Sequence, residues 1–208
     1  MTTRPKVEEL TEGPRIGICD HTSQRRDTYS DSWITPEPIL DLVRLVYGDI
    51  DYDLASSAEA NVRVRARRYW SQGNPCPQEP NLGGVVWANP PGPGARVKEF
   101  WGIWNRLVIR GCTGAFLIFK QDHWRQLPAP AFSATAIVLR KRLAFTPTVA
   151  AYADACRRAE AKGKPKPPLH AGANFPSTLI LSPGDWQNEA LYYDALTEFG
   201  HVLPWGSR

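Results

Sequence analysis

The stretch VVWANPPGPG, residues 85–94, sets an asparagine and two prolines directly behind a short apolar run. Proline fixes φ and has no backbone N–H, so a loop built on Pro90 and Pro91 is rigid and presents outward-facing carbonyls. Asn89 adds a side-chain carbonyl. Together such acceptors can take both hydrogens of an exocyclic amine on a nucleobase swung out of its helix. Holding those hydrogens localises the nitrogen lone pair towards an incoming electrophile. The same triplet can also do no more than end a strand. A second candidate lies upstream in DIDYDLASSAEAN, residues 49–61. There Asp53 is followed by small residues, among them Ala55 and Ser56, which let a ligand approach the backbone closely. A carboxylate at this position can equally cap the next helix.

For Asp53 and Asn89 to act together, their strands must be parallel neighbours that end at one edge, where ligands gather in open α/β sheets. Hydrophobic spacing supplies the elements. PEPILDLVRLVYG puts Ile39, Leu42, Val43, Val46 and Tyr47 on one helical face, with Thr35 as N-cap and Gly48 as the stop. A short strand ends near Asp53, and a helix is expected from about Ser57 to Arg68. The Pro- and Gly-dense residues 71–84 form a loop leading into a strand over Val85–Ala88. Val97, Phe100, Trp101, Trp104, Leu107 and Val108 recur at helical spacing, and TGAFLIFK reads as a buried strand. A short helix over Asp122–Leu127, strands in ATAIVLR, RLAF and STLIL, a helix near Gln187–Phe199 and a terminal HVLPW complete the pattern. Alternating strands and helices predict an α/β fold, a single sheet with helices on both faces. Residues 1–28 read as a loosely ordered arm and 29–208 as one domain, with AYADACRRAEAKGKPKPPLHAG marking an insertion near 149–172.

Composition narrows the class. The 208 residues fit one domain with one sizeable core, and 42% apolar with 22% charged residues argues against wholesale disorder. Lys and Arg outnumber Asp and Glu by 25 to 21, a net charge of +4 that tilts weakly towards polyanionic partners. Cys19, Cys76, Cys112 and Cys156 are far apart, with no CxxC pair and no histidine at ligand spacing, so they read as free thiols in a reducing cytosol and no metal is expected. His21, His123, His170 and His201 form no constellation. No phosphate-binding G-x-x-x-x-G-K-[ST] loop, signal peptide or membrane-length apolar run is present, which points to a soluble intracellular protein and away from an NTPase.

SDSWITPEPI (30–39), DIDYDLASSAEAN (49–61), VVWANPPG (85–92), FKQDHWRQL (119–127), VLRKRLAF (138–145) and NFPSTLIL (174–181) follow one another along most of the chain, from about 30 to 204. In order and spacing they resemble the phage-type DNA N6-adenine methyltransferases, a branch of the Dam-like enzymes. The resemblance implies a Rossmann-like methyltransferase fold, S-adenosylmethionine as cofactor, double-stranded DNA as partner and a bacterial cytoplasm as the setting, acting on phage or host DNA. Asn89, Pro90 and Pro91 match the catalytic tetrapeptide. Asp53, Ala55, Ser56 and Asn61 match the cofactor segment, and Trp33, Thr35 and Pro36 match a W-x-T-P element read as another wall of the cofactor pocket. Trp124 falls near a tryptophan that members carry after the strand 113–119.

Two positions depart from the pattern. Asp53 is followed by Leu54 rather than proline, and Gly92 stands where the family has an aromatic that stacks on the flipped adenine. Such stacking is worth about 1–3 kcal/mol. Phe175 is therefore the expected replacement, because NFPS leads into a strand of the same sheet, whereas Trp87 should point into the packing. Basic residues for DNA phosphates are Arg63, Arg65, Arg67 and Arg68 in one group and Arg140, Lys141 and Arg142 in another. Two alternatives stay open: a DNA-binding relative that has lost catalysis, and methylation of another base amine such as cytosine N4.

Overall fold

The computed structural model describes residues 33–71, 83–91, 94–119, 126–169, 171–172, 176–188 and 190–205. In chain order the elements are β1 (Trp33–Ile34), α1 (Glu37–Tyr47), β2 (Tyr52–Asp53), α2 (Ala58–Val64), β3 (Arg68–Tyr69), β4 (Val85–Ala88), α3 (Gly94–Ile109), β5 (Thr113–Ile118), β6 (Ala134–Leu139), β7 (Ala144–Pro147), α4 (Val149–Glu160), β8 (Ala171–Gly172), β9 (Thr178–Leu181), α5 (Ala190–Phe199) and β10 (Gly200–Trp205). The expected arm at 1–28 and the helix expected over Asp122–Leu127 lie wholly or largely outside the described residues, as do Gly92, Trp124 and Phe175.

Among the described residues seven strands form a mixed sheet in the order β10-β6-β9-β5-β4-β2-β3. β2 is parallel to β3 and to β4, and β4 is parallel to β5. β9 is antiparallel to both β5 and β6, so β6 runs the same way as β5, and β10 is antiparallel to β6. The carboxyl ends of β2, β4, β5 and β6 therefore share one edge. β4 and β5 approach closely at Gly114, where a Cβ would fall 1.9 Å from the Val86 carbonyl oxygen.

Side chains alternate across the sheet and bury both faces. Val85, Trp87, Ala115, Leu117, Leu179 and Leu181 pack with Ile39, Leu40, Leu42 and Val43 of α1 and Leu196 of α5. Val86, Ala88, Phe116, Ile118 and Ile180 pack with Val97, Phe100, Trp101, Trp104 and Leu107 of α3. Helices thus cover both faces, as the periodicity predicts. Each large aliphatic or aromatic side chain so buried contributes roughly 1.5–3 kcal/mol. Trp87 is 1% exposed, inside the packing as expected.

Three expectations are corrected. The sheet is not single: β1, β7 and β8 form a separate three-stranded sheet, β1 antiparallel to β7 and β7 antiparallel to β8. The chain leaves the large sheet after Leu139, and Phe145 anchors the small one, with its ring 5.7 Å from Trp33 and 4.9 Å from Phe119, which follows β5. Thr35 does not cap α1. Pro36 holds the cap position with no side-chain bond, and Gly48, at φ +84°, ends the helix as expected. The helix expected to reach Arg68 ends at Val64. Arg65 adopts a left-handed conformation, and the Asn61 carboxamide accepts from Ala66 N–H at 3.0 Å while donating to Ala66 O at 3.2 Å. That bracket turns the chain into β3.

α4 falls in the stretch read as an insertion and contains no buried residue. Thr148 caps it, and the Glu59 carboxylate of α2 accepts from Val149 N–H at 2.9 and 3.1 Å.

Candidate functional site

β2 and β4 are hydrogen-bonded neighbours in register, Tyr52 opposite Val86 and Asp53 opposite Trp87. The two exits singled out in the sequence therefore lie side by side, about 4.8 Å apart in the hydrogen-bonding direction. Leu54 N–H donates to Trp87 O at 3.0 Å, Trp70 N–H to Asp53 O at 3.0 Å and Ser56 N–H to Trp70 O at 2.8 Å, which fixes the turn after β2.

Asp53 does not cap α2. Ser57 does, accepting from Ala60 N–H at 3.1 Å. The Asp53 side chain is buried, 1% exposed, and takes a bond from Ala55 N–H at 3.1 Å. Burial pushes its pKa from an ordinary 3.8 up to about 6, against the opposing pull of the Ala55 N–H and the Ser56 hydroxyl. No cation balances it among the described residues. A carboxylate desolvated in this way is poised for a ligand that brings donors or positive charge.

Asn89 follows β4. Its Nδ2 donates to Thr35 Oγ1 at 2.9 Å, while its Oδ1 is buried and has no hydrogen-bond partner among the described residues. Thr35 is itself 3% exposed. The W-x-T-P and N-P-P elements, 54 residues apart at this bond, thus meet directly. The N-P-P turn is less exposed than the sequence suggests: Pro90 is buried and Pro91 half-buried. Pro36 and Trp33 are half-buried beside Thr35 in the chain. Arg63 Nη1 donates to Thr35 O at 3.3 Å, tying the end of α2 to β1. Arg44 reaches the Arg63 and Val64 carbonyls at 2.8 and 3.0 Å and the Glu37 carboxylate at 2.9 Å, which also pairs with Arg65 at 3.0 Å.

The remaining candidates separate by their surroundings. Asn61 is drawn into the Ala66 bracket at both ends of its amide. Arg67 pairs with Asp51 at 3.3 Å and lies 3.8 Å from Asp49. Arg68 is exposed on edge strand β3. Arg140, Lys141 and Arg142 are exposed and follow β6 at the same edge as Asn89, roughly 14 Å along it by three strand spacings.

Two groups at this edge had no signal in the sequence. Ser177 Oγ and Thr178 Oγ1 are buried at the start of β9 without a hydrogen-bond partner among the described residues. Strand alternation aims Thr178 towards the α3 face and Ser177 towards the opposite one, since Ile180 packs with α3 and Leu179 with α1. Trp104 Nε1 and Asn105 Oδ1 also lack a partner among the described residues but belong to the middle of α3. Among the described residues no group of His, Cys, Asp and Glu is placed to hold a metal, and no helix is long and apolar enough to cross a membrane. No family model matches the sequence, and no curated protein is significantly similar to it.

Proposed function

We propose that the chain transfers a methyl group from S-adenosylmethionine to the N6 amine of adenine in double-stranded DNA. The observation that carries the reading is Asn89 Oδ1, a buried acceptor that has no partner among the described residues and is held one strand away from a buried carboxylate that none of their cations balances. A buried acceptor left unpaired costs about 1–3 kcal/mol, and an incoming amine hydrogen removes that cost. Two acceptors, Asn89 Oδ1 and the Pro90 carbonyl, take the two amine hydrogens and leave the nitrogen lone pair free to react. Asp53 fits the cofactor, whose hydroxyl and ammonium donors would supply what its carboxylate lacks. S-adenosylmethionine, when bound there, presents an electrophilic methyl group on a sulfonium. The Ala55–Ser56 turn admits it closely, and Asn89 holds the amine facing it across the β2–β4 edge. Arg140, Lys141 and Arg142 supply phosphate contacts on the same edge.

Gly92, lacking the stacking aromatic, favours a second reading in which the chain binds DNA without methylating it. Incubating the protein with methyl-labelled cofactor and mixed-sequence duplex, then digesting to nucleosides, separates the two. Label in N6-methyldeoxyadenosine supports transfer; label in N4-methyldeoxycytidine moves the target to the other amine; DNA binding with no label supports the second reading. If transfer occurs, Phe175→Ala lowering it far more than stability identifies the replacement aromatic.

A further inference from the structure

We infer that Thr35 is a positioning residue for the catalytic amide, not only a wall of the cofactor pocket. The inference rests on the methyl-transfer reading and adds to it how Asn89 is aimed. A carboxamide can present either an acceptor or a pair of donors to the same point, and only the acceptor suits an amine. Turning Oδ1 towards the amine sends Nδ2 the other way, where its hydrogens need an acceptor of their own. Thr35 Oγ1, at 2.9 Å, is that acceptor.

Its placement is over-determined. Ile34 pairs with Thr146 in the small sheet, Arg63 holds the Thr35 carbonyl at 3.3 Å, and Pro36 fixes the backbone that follows. Thr35 is 3% exposed, so its hydroxyl is shielded from bulk water. Donation from Nδ2 also polarises the amide and makes Oδ1 a stronger acceptor. The bond to Asn89 explains why a threonine stands at the cap-like position before α1 without capping it.

The test compares Thr35→Val, which keeps the shape and loses the hydroxyl, with Thr35→Ser, which keeps the hydroxyl. In the full-length protein labelled with nitrogen-15, the Asn89 side-chain amide signal is assigned by its loss in Asn89→Asp. Its hydrogens should exchange slowly in native protein and in Thr35→Ser, and should lose that protection in Thr35→Val. Steady-state kinetics should show kcat falling roughly 5- to 150-fold in Thr35→Val, a larger loss than any change in cofactor Kd, with most of it recovered in Thr35→Ser. Unchanged amide protection in Thr35→Val overturns the inference, as does a weakened cofactor Kd with kcat intact, which would leave Thr35 a pocket wall. If native protein methylates nothing, the methyl-transfer reading fails, while the exchange measurement still decides whether Thr35 holds the amide.

Discussion

Asp51 and Asp53 flank Tyr52 at opposite ends of β2, and the chain treats them in opposite ways. Asp51 Oδ2 accepts from Val85 N–H at 2.8 Å, and its Oδ1 meets Arg67 at 3.3 Å. Asp53 is buried with a backbone N–H and a hydroxyl for company and no cation among the described residues. Two asparagines repeat the contrast: Asn61 has both ends of its amide engaged by Ala66, while Asn89 has one end engaged and the other buried with no partner among the described residues. The Asp51 carboxylate and the Asn61 amide are satisfied within the fold. The pair at the carboxyl edge is left short among the described residues, and under the proposed reading the donors of a ligand would complete it.

The largest expected effect breaks the asparagine pair apart. Asn89→Ala should lower methyl transfer by about 100-fold or more, with the circular-dichroism spectrum unchanged. Asn61→Ala should instead cost roughly 1–3 kcal/mol in denaturant unfolding, because Ala66 N–H loses its acceptor. Should Asn89→Ala turn over like native protein, the open amide is not the catalytic group.

The aspartates should differ in sign. Asp53→Asn should stabilise the protein at pH 7 by roughly 1–3 kcal/mol, since it removes a charge that burial disfavours. The folded pKa is raised, from 3.8 to about 6. Native protein therefore regains stability as pH falls through 6. The advantage of the Asp53→Asn variant over native protein should vanish below about pH 4, where the carboxyl is protonated in folded and unfolded chains alike. Asp51→Ala should destabilise by roughly 1–3 kcal/mol, leaving Val85 N–H and Arg67 without their partner. Urea titrations of both variants across pH check this.

A smaller effect is expected from the exposed basic turn after β6. Replacing Arg140, Lys141 and Arg142 with alanine should reduce the slope of log affinity for duplex DNA against log salt by up to about 3. Arg67→Ala should leave the slope nearly unchanged, because Arg67 is already paired with Asp51.

Much of the frame was legible because it rests on periodicity. VVWA and TGAFLI are short apolar runs that fit strands covered on both faces, and the Val97–Leu107 spacing fits one helix face. The adjacency of Asp53 and Asn89 depended on their strands being parallel neighbours, a condition that β2 and β4 meet. The errors arose where a side chain reached beyond its neighbourhood. Thr35 before a proline looks like a helix cap, yet its hydroxyl is engaged by an asparagine 54 residues away. VRVRARRY looks helical, but the Asn61 bracket and a two-residue pairing with β2 stop it, and two residues are too few to show alternation. The small sheet was hidden because alternation in AFTP buries Phe145 without saying in which sheet.

The most direct test is calorimetric titration of S-adenosylmethionine into the native protein, Asp53→Asn and Asp51→Ala, at two temperatures to exclude an accidental zero of enthalpy. Native protein should bind in the range of about 1 μM to 1 mM, Asp51→Ala should bind comparably, and Asp53→Asn should bind at least about 10-fold more weakly. Absence of binding by folded native protein, or equal binding by native and Asp53→Asn, would contradict the claim that the unsatisfied carboxyl edge is built for this ligand.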